Sequence, residues 1–593
     1  MNDLLNLVSK KKNKIVGEYS NLDIIKMIEY NYFWRIIMYG WHNNFLDINL
    51  TTKKIEKFKL EEEILLNYIG GRGLGVYFLK DYYNTEPFDD NMIVAILTGP
   101  LTGTSGYSTG RFSISSRSPL TKTVFDSNSG GSFGYYLKKA GYDGIIIRGK
   151  SQKPVIIKID NETIVIEDSS KLWGRNLREV FKLMPKGFHG MFIGTAGEKL
   201  SYLSNIGLSK ENYFGRGGLG AIFGHKNLKG LIVRGDKKLK ISDKNRWTEA
   251  QKEIKRMIEA SPTIKGLRKY GTSVLVSITD FMKIFPIKNF SDRYSLNTKK
   301  LYIDKIFKNN NFRKKSCITC PIACKKFDEE GELPEFETVG LLGGGNSIFN
   351  YNIIVKANRI LNDFGIDTIS AGGTLASFYE YNKNFPEEKK FLNDIVSLAG
   401  REKEFDELNF GSYRYLEKFK AEKLSMSVKK LELPAYDPRG VKGMALSYGT
   451  SNRGGCHLRS YMVSPEILRK PRPLDPKIIS GKAGYTMIFQ NRFAITDSLS
   501  VCKFAFLGTS EEEYAELLSA ITGIEFSGDG LLTSGKLIYD SEHEFNRKAG
   551  FTDKDDYLPE RFYNEGGDSE LEPIDYSEYK KELELYYKMR GYK

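Results

Sequence analysis

The chain of 593 residues is poor in cysteine and in histidine, with five of each. Five cysteines are too few, and odd in number, for a disulfide scaffold. No apolar run approaches the roughly 18 residues a membrane-spanning helix needs. With a mean hydropathy of −0.39, the sequence reads as a soluble chain rather than an integral membrane protein. The start carries Lys10-Lys11-Lys12 but no small-residue cleavage pattern behind an apolar stretch, so no secretory signal is expected and a reducing cytoplasm is the expected compartment. No strict internal repeat is visible.

What is present is core material: 40% hydrophobic and 27% charged residues, a globular balance, over a length suggesting three or four domains. Lys and Arg number 89 against 74 Asp and Glu, a net charge of +15. Such an excess favours an acidic partner, although a chain rich in Lys, Asn and Ile also acquires it from composition alone.

Four segments are expected. Residues 1–37 read as an N-terminal extension, polar and basic, with an amphipathic stretch at 24–37 ahead of a second start-like string, Met38-Tyr39-Gly40-Trp41. Residues 38–244 read as β-rich, with strands at 145–147, 155–159, 163–167 and 231–234. Glycine loops lie between them: Gly70-Gly71-Arg72-Gly73, Gly103-Thr104-Ser105-Gly106, Asn128-Ser129-Gly130-Gly131 and Gly215-Arg216-Gly217-Gly218. Such loops permit positive φ and close approach to a bound group. From 245 the 3.6-residue period predicts helices at 247–260, 353–364, 369–381 and 511–521, and a charged C-terminal helix from 576. Residues 245–425 and 426–593 are expected to be two mostly helical domains, the second beginning with a loop-rich stretch at 433–462. The fold class is α+β.

The strongest chemical signal is Cys317-Ile318-Thr319-Cys320-Pro321-Ile322-Ala323-Cys324. Three thiolates at C-x2-C-x3-C spacing face one centre only if the backbone curls around it, and Pro321 fixes φ within that curl. Zinc would want a fourth ligand close by, and the next histidine is His457. An iron–sulfur cluster takes its fourth thiolate from a remote position, for which Cys502 is available. Gly215-Arg216-Gly217-Gly218-Leu219-Gly220 matches G-x-G-x-x-G, but a polar stretch precedes it and a strand-like run follows, so a dinucleotide fold is rejected. Free N–H groups in such turns suit anionic oxygens, with Arg216 and Arg111 adding charge. Glu335-Phe336-Glu337 places carboxylates near the cysteines for acid–base work. His457, hemmed by Gly454-Gly455-Cys456, is the second proton-handling candidate.

Taken together these strings resemble the tungsten-containing aldehyde ferredoxin oxidoreductases. The resemblance rests on Leu97-Thr98-Gly99-Pro100-Leu101-Thr102-Gly103-Thr104, Asn128-Ser129-Gly130-Gly131, residues 215–220 with Lys226-Asn227-Leu228-Lys229, and the cysteine cluster. Lys430-Leu431-Glu432-Leu433-Pro434-Ala435-Tyr436-Asp437-Pro438-Arg439-Gly440 and Asn452-Arg453-Gly454-Gly455-Cys456-His457 extend it, and it runs from Met38 to the C-terminus. It implies a β domain forming the base for a bis-pyranopterin cofactor holding tungsten or molybdenum, covered by two helical domains. A [4Fe–4S] cluster would be held by Cys317, Cys320, Cys324 and Cys502. The cofactor contacts it implies are Arg111, Asn128, Gly130, Tyr213, Gly215, Arg216, Ile366, Asp367, Arg459, Asp497 and Val501. A Mg2+ would use the backbone carbonyls of Asn128 and Tyr213. Glu337 and His457 would handle protons in the oxidation of aldehydes to carboxylic acids, with water supplying the oxygen and ferredoxin accepting electrons.

Three positions depart from the family strings: Asn362 stands for Asp, Ser500 for Gly, and Lys356 where some members carry a metal-binding Glu between subunits. The last leaves a homodimer open. Rival readings are a relative acting reductively on aromatic thioesters, and a basic iron–sulfur protein that binds nucleic acid without catalysis. Lys314, Lys315, Lys325, Lys326 and Lys503 flank the cysteines in sequence and are expected to form a basic rim for an acidic ferredoxin.

Overall fold

Strands at 145–147, 155–159, 163–167 and 231–234 are all present, and they belong to two six-stranded mixed sheets. A computed structural model describes residues 39–592 except 210, 293, 309–311 and 567–571; the expected extension over 1–37 lies outside the described residues. The first sheet comprises β1 (Phe45–Asn49), β2 (Ile55–Phe58), β3 (Val94–Leu97), β4 (Phe112–Arg117), β5 (Val124–Ser129) and β6 (Gly144–Arg148), in the order β2-β1-β6-β3-β4-β5. Only β1 and β6 run parallel, with Phe45 opposite Gly144. The second comprises β7 (Val155–Asp160), β8 (Thr163–Asp168), β9 (His189–Ile193), β10 (Ile206–Gly207), β11 (Tyr213–Phe214) and β12 (Leu228–Arg234), in the order β11-β10-β9-β12-β7-β8.

Side chains from both sheets share one apolar core, among them Ile48, Ile96, Ile114 and Ile147 from the first and Ile157, Met191, Leu231 and Val233 from the second. The interior strand β3 is buried throughout and reads as a continuous apolar run. The edge strand β8 instead leaves alternate residues, such as Thr163 and Val165, exposed.

After Arg234 no strand is longer than three residues among the described residues, and helices take over. The observed class is therefore the expected α+β. No helix among the described residues is long and apolar enough to cross a membrane.

One expected loop is not a loop. Gly70-Gly71-Arg72-Gly73 opens helix α1 (Gly71–Leu79), and its glycines serve protein packing instead of ligand approach. A Cβ on Gly71 would lie 2.3 Å from the Asp497 carbonyl oxygen, so the helix start sits directly on a distant backbone. Arg72 is buried there and makes a bidentate pair with Glu542 at 2.6 and 2.7 Å. Removing one member leaves a buried charge uncompensated, so Arg72→Met should cost about 3–5 kcal/mol. The expected observation is a lower denaturant midpoint by circular dichroism, partly recovered in Arg72→Met/Glu542→Leu.

The helices that position the site obey local rules. α2 (Leu219–His225) follows the Gly215–Gly218 turn. α3 (Lys244–Ala260) is capped by Asp243, whose carboxylate accepts from the N–H groups of Asn245 and Arg246. α4 (Pro262–Tyr270) starts with Ser261 as cap and proline at its first position. α5 (Ile303–Lys308), α6 (Tyr351–Phe364) and α7 (Thr368–Tyr381) follow. α8 (Lys482–Ser498), α9 (Glu511–Thr522), α10 (Gly528–Lys548) and α11 (Tyr576–Arg590) complete the frame. The loop-rich reading of 433–462 misses a helix at Lys442–Thr450, whose residues from Gly443 on are all buried and so show no amphipathic period.

Candidate active site

Cys317, Cys320 and Cys324 lie on the connection between two short strands, β13 (Arg313–Lys315) and β14 (Lys325–Phe327), paired antiparallel with Lys315 opposite Lys325. Thr319 and Ala323, the residues just before the second and third cysteines, have φ of 60° and 52°. That left-handed backbone costs roughly 1–2 kcal/mol at each and curls the loop. Ser108 ties the loop to the fourth cysteine. Its N–H donates to the Thr319 carbonyl at 3.1 Å, and its carbonyl accepts from the Cys502 N–H at 2.9 Å.

All four cysteines line one cavity of about 340 Å³. Among the described residues no group of three or more His, Cys, Asp or Glu side chains is arranged to hold a single metal ion; the thiols form a wall around space. Burial pushes the thiols of Cys317, Cys320 and Cys324 upward, Cys320 to about 11. They hold their protons until a metal displaces them.

Glu337 and His457 meet on the same cavity wall. His457 Nε2 lies 3.3 Å from Glu337 Oε1, and Glu337 Oε2 accepts the Ala435 N–H at 2.7 Å. Burial raises the Glu337 carboxyl to about 8, against the lowering effects of that N–H and of Arg216. Burial, with Arg216, Arg453 and Lys503 nearby, holds His457 well below its ordinary value. At neutral pH the histidine is therefore uncharged, and the carboxyl sits near the pH at which a group exchanges protons efficiently. Tyr436 and Tyr461 flank the imidazole with ring centroids at 5.9 and 6.0 Å.

The rest of the cavity wall is dense in charge. Arg111 donates through Nη2 to the Asn128 carbonyl at 2.7 Å and through Nε to the Asn128 amide oxygen. Arg216 donates through Nη1 to the Gly455 carbonyl at 2.8 Å, with Nε 3.7 Å from Asp367. Asp367 caps α7 by accepting from the N–H groups of Ile369 and Ser370. Asp497 pairs with Lys503, Arg72 and Arg459, and Arg459 also pairs with Asp126. Asn128, Gly130, Tyr213 and Gly215 line the cavity too, whereas Ile366, Val501 and Arg459 stand behind its wall. The Asn128 carbonyl expected to bind Mg2+ thus already accepts one bond from a guanidinium.

Several buried polar atoms here have no hydrogen-bond partner: Asp126 Oδ2, Arg216 Nε, Glu337 Oε1, His457 Nδ1 and Arg459 Nε. Buried polar groups are normally paired, and four of these five belong to cavity-lining residues. A Cβ on Gly215 would meet nothing within 4 Å except Asp367 Oδ1 at 3.6 Å. The wall is shaped for a large polar group that presents both donors and anionic oxygens.

The sequence matches two family models, described as "Aldehyde ferredoxin oxidoreductase, N-terminal domain" over residues 45–235 and "Aldehyde ferredoxin oxidoreductase, domains 2 & 3" over 249–593. The tungsten-containing aldehyde ferredoxin oxidoreductase of Pyrococcus furiosus is 38% identical, the alignment covering 94% of this chain and 97% of that protein. Its counterpart in Thermococcus kodakarensis is 36% identical over the same shares. The chain belongs to the tungsten-containing aldehyde ferredoxin oxidoreductase family. It is an oxidoreductase of that family.

More distant relatives carry other descriptions. The WOR-like subunit of an aliphatic sulfonate oxidoreductase from Pyrococcus furiosus is 29% identical over 71% of this chain and 75% of that one. The solved active-site complex BamBC of benzoyl coenzyme A reductase with 1,5-dienoyl-CoA superposes with a TM-score of 0.79, 22% identity, and 94% and 95% coverage; that likeness shows the fold alone.

Membership in the aldehyde ferredoxin oxidoreductase family gives physical sense to one departure. Ser500 stands where the family string has glycine, and its φ is 61°. The position requires left-handed backbone, which glycine adopts without strain and serine adopts at a cost. Asn362 lines the cavity, its amide donating to Asn358 Oδ1 at 3.2 Å. Lys356 is exposed on α6.

Two sequence expectations are corrected. The G-x-G-x-x-G string does have a strand before it and a helix after it, β11 and α2, contrary to the reading of a polar stretch and no helix. The strand is two residues long and antiparallel to β10, so the parallel βαβ unit of a dinucleotide fold is still lacking. The five-lysine rim also fails. Lys325 turns inward to Glu332 and Glu335, at 2.7 Å each. Lys326 is buried, and Lys503 pairs with Asp497. Only Lys314 and Lys315 are exposed, and Lys315 pairs with Glu211.

Sequence reasoning missed Asp126, Arg453, Tyr436 and Tyr461 as wall residues. Arg453 donates to the Asp126 carbonyl at 2.6 Å and to Cys456 Sγ at 2.9 and 3.2 Å. Arg453 and Tyr436 sit inside strings that carried the family resemblance, which was the available signal. Nothing local marks Asp126 or Tyr461.

Proposed function

We propose that this chain oxidises aldehydes to carboxylic acids, with water as oxygen source, at a tungsten (or molybdenum) bis-pyranopterin. Electrons leave through a [4Fe–4S] cluster on Cys317, Cys320, Cys324 and Cys502 to ferredoxin in the cytoplasm. The observation that carries the reading is the buried Glu337–His457 pair, 3.3 Å apart, on the wall of the cavity that also exposes four thiols. A proton-handling pair for the pterin-held metal and a ligand set for the cluster then line one cavity.

The residues fit that group. Arg111 and Arg216 suit its phosphates, and Asp367, Asp497 and the unpartnered Asp126 oxygen suit ring N–H donors. Arg459, Ile366 and Val501 support the wall from behind, Gly215 leaves it room, and Gly130 lets the Cys317 sulfur approach. Mg2+ would take the backbone carbonyls of Asn128 and Tyr213. When bound, the pterin-held metal supplies two-electron redox chemistry and polarises the substrate oxygen.

The chain's own part is proton and substrate placement. Neutral His457 donates a hydrogen bond to the aldehyde oxygen, where negative charge grows. Ionised Glu337 takes a proton from the attacking water. Tyr436 and Tyr461 hold the imidazole between them. Residues 38–244 serve as the base, and 245–425 and 426–593 as two covering domains.

The test is anaerobic purification with metal and pterin analysis, then an aldehyde panel with a small acceptor dye. Stoichiometric tungsten or molybdenum with pterin, and dye reduction by at least one aldehyde, is expected. Turnover of aromatic thioesters with none of any aldehyde would overturn the substrate assignment. Protein that purifies without pterin and binds DNA in a salt-dependent manner would overturn the whole reading.

A further inference from the structure

The chain's positive charge is concentrated. Residues 262–315 hold thirteen Lys and Arg against three Asp and Glu, a net +10 of the total +15. This segment supplies α4, α5 and β13 and ends two residues before Cys317. Its cations face water: Lys265 and Lys269 on α4, Lys299 and Lys300, Lys305 and Lys308 on α5, and Arg313, Lys314 and Lys315 on β13 are all exposed. Of these nine, only Lys315 has an ion-pair partner among the described residues, Glu211. Surface cations are usually interleaved with carboxylates; an unneutralised set on adjoining elements makes a strong local field.

The three elements are one surface. Tyr270 at the end of α4 packs on Phe307 of α5 with centroids 6.2 Å apart, and Phe307 packs on Phe312, next to β13, at 4.1 Å. That surface lies against the cysteine loop from outside. Lys326 Nζ donates to the Leu267 carbonyl of α4 at 3.4 Å and to the Cys324 carbonyl at 3.2 Å. A Cβ on Gly271, just past α4, would lie 2.9 Å from that same Cys324 oxygen. The third cysteine is thus connected to the basic surface through a single buried side chain.

An apolar element borders the cations. Phe281 is 87% exposed and Leu296 68% exposed. They sit at the end of helix Leu275–Phe281 and at the start of the turn Leu296–Leu301 that carries Lys299 and Lys300, and these two elements pack together. Large apolar side chains left in water beside unpaired charge mark protein interaction surfaces.

We infer that the face built from α4, α5, β13 and the Leu296–Leu301 turn is the docking surface for an acidic one-electron-carrier protein, which takes electrons from the Cys324 side of the cysteine loop. The inference rests on the oxidoreductase reading of the cavity and says where its electrons leave. Each aldehyde and water become a carboxylic acid, two protons and two electrons, so two carriers dock in turn, each taking one electron. Opposite charge brings the carrier in, and the apolar pair gives it a seat. Nine exposed cations thus gather on adjoining elements beside the cysteine loop, and composition bias does not explain where they sit.

The test uses the full-length anaerobically prepared holoenzyme and an acidic ferredoxin. Lys265→Glu/Lys269→Glu/Lys305→Glu reverses three exposed charges that touch no cavity residue. Lys580→Glu/Lys581→Glu/Lys588→Glu on α11 makes the same net change elsewhere and serves as control. At low ionic strength the first variant should lose at least tenfold in ferredoxin-coupled kcat/KM and in affinity for immobilised ferredoxin. It should keep wild-type turnover with a small uncharged acceptor, and the control should keep all three. The wild-type ferredoxin rate should fall steeply as salt rises, since the Debye length shrinks from about 30 Å at 0.01 M to about 8 Å at 0.15 M. Equal losses in both variants, no loss in the first, or a first variant that loses duplex-DNA binding while ferredoxin affinity stays intact would each overturn the docking surface. Failure of turnover with every acceptor would overturn the reading of the cavity instead, and ferredoxin affinity would still decide the surface.

Discussion

Glu337→Gln is expected to lower turnover at saturating aldehyde by about 10²-fold or more, with metal, pterin and iron contents unchanged. The amide is nearly the same size and keeps an oxygen to accept the Ala435 N–H, so the wall should keep its shape. What it loses is the ability to hold and release a proton. The same group gives a signature in pH. Burial places the Glu337 carboxyl at about 8, so near pH 6 it is almost wholly protonated and only a small fraction is available as base. If ionised Glu337 accepts the proton, kcat should rise about tenfold per pH unit below that value and level off above it. The Gln variant should lack that limb. His457 stays neutral across this range, its proton affinity being held low by burial and by Arg216, Arg453 and Lys503, so it adds no second limb. A Gln variant with unaltered turnover, or a wild-type profile flat between pH 6 and 9, would remove Glu337 from the proton transfer.

Much of this architecture is legible in the residues, for reasons that differ from place to place. Strands β7 and β8 could be read because Val155–Asp160 and Thr163–Asp168 are β-branched runs joined by an Asp-Asn-Glu turn, whereas β9, β10 and β11 of the same sheet were not read. Helices α3, α6, α7 and α9 could be read from apolar residues at the helical period. Cluster and catalytic candidates could be read because cysteine and histidine are scarce, so any concentration of them stands out. The structure brings Cys502 to the same cavity as the C-x2-C-x3-C loop, and His457 to Glu337.

What could not be read depends on long-range packing. The Gly71 region is a helix because its glycines let Asp497 approach, a partner more than 400 residues away. Arg72 and Glu542 are separated by 470 residues, and no local pattern marks either as half of a pair. Lys325 and Lys326 look like a rim when placed by number, but Lys325 is drawn to Glu332 and Glu335, and Lys326 reaches the carbonyls of Leu267 and Cys324. Lys314 and Lys315 on the opposing strand stay in water. Charge location, unlike charge sum, is a tertiary property. Arg453 and Cys456 make the same point: the guanidinium lies on the sulfur at 2.9 and 3.2 Å, so the fifth cysteine is used to hold an arginine and takes no part in the thiol wall.

That distinction between the fifth cysteine and the other four sets the last expected result. Cys317→Ser should abolish the iron–sulfur absorbance and the reduction of ferredoxin, whereas Cys456→Ser should retain both. A serine hydroxyl does not ionise at neutral pH, so one iron would lack its ligand. The Cys317 site also has no slack: a Cβ on Gly130 would lie 2.5 Å from its sulfur, and Asn212 Oδ1 is 3.6 Å away on another side. No neighbouring thiol is free to replace it, because Cys320 and Cys324 are fixed by the left-handed turns at Thr319 and Ala323, and Cys502 by the Ser108 carbonyl. Cluster loss should leave the pterin wall standing, since Arg111, Arg216, Asp367 and Asp497 hold their partners without the cysteine sulfurs. Pterin content should therefore persist while iron falls, which separates loss of the electron exit from general unfolding. A Cys317→Ser protein with full iron and wild-type ferredoxin reduction would show that the cluster is not built on this loop, and equal damage from Cys456→Ser would show that the fifth cysteine is not confined to holding Arg453.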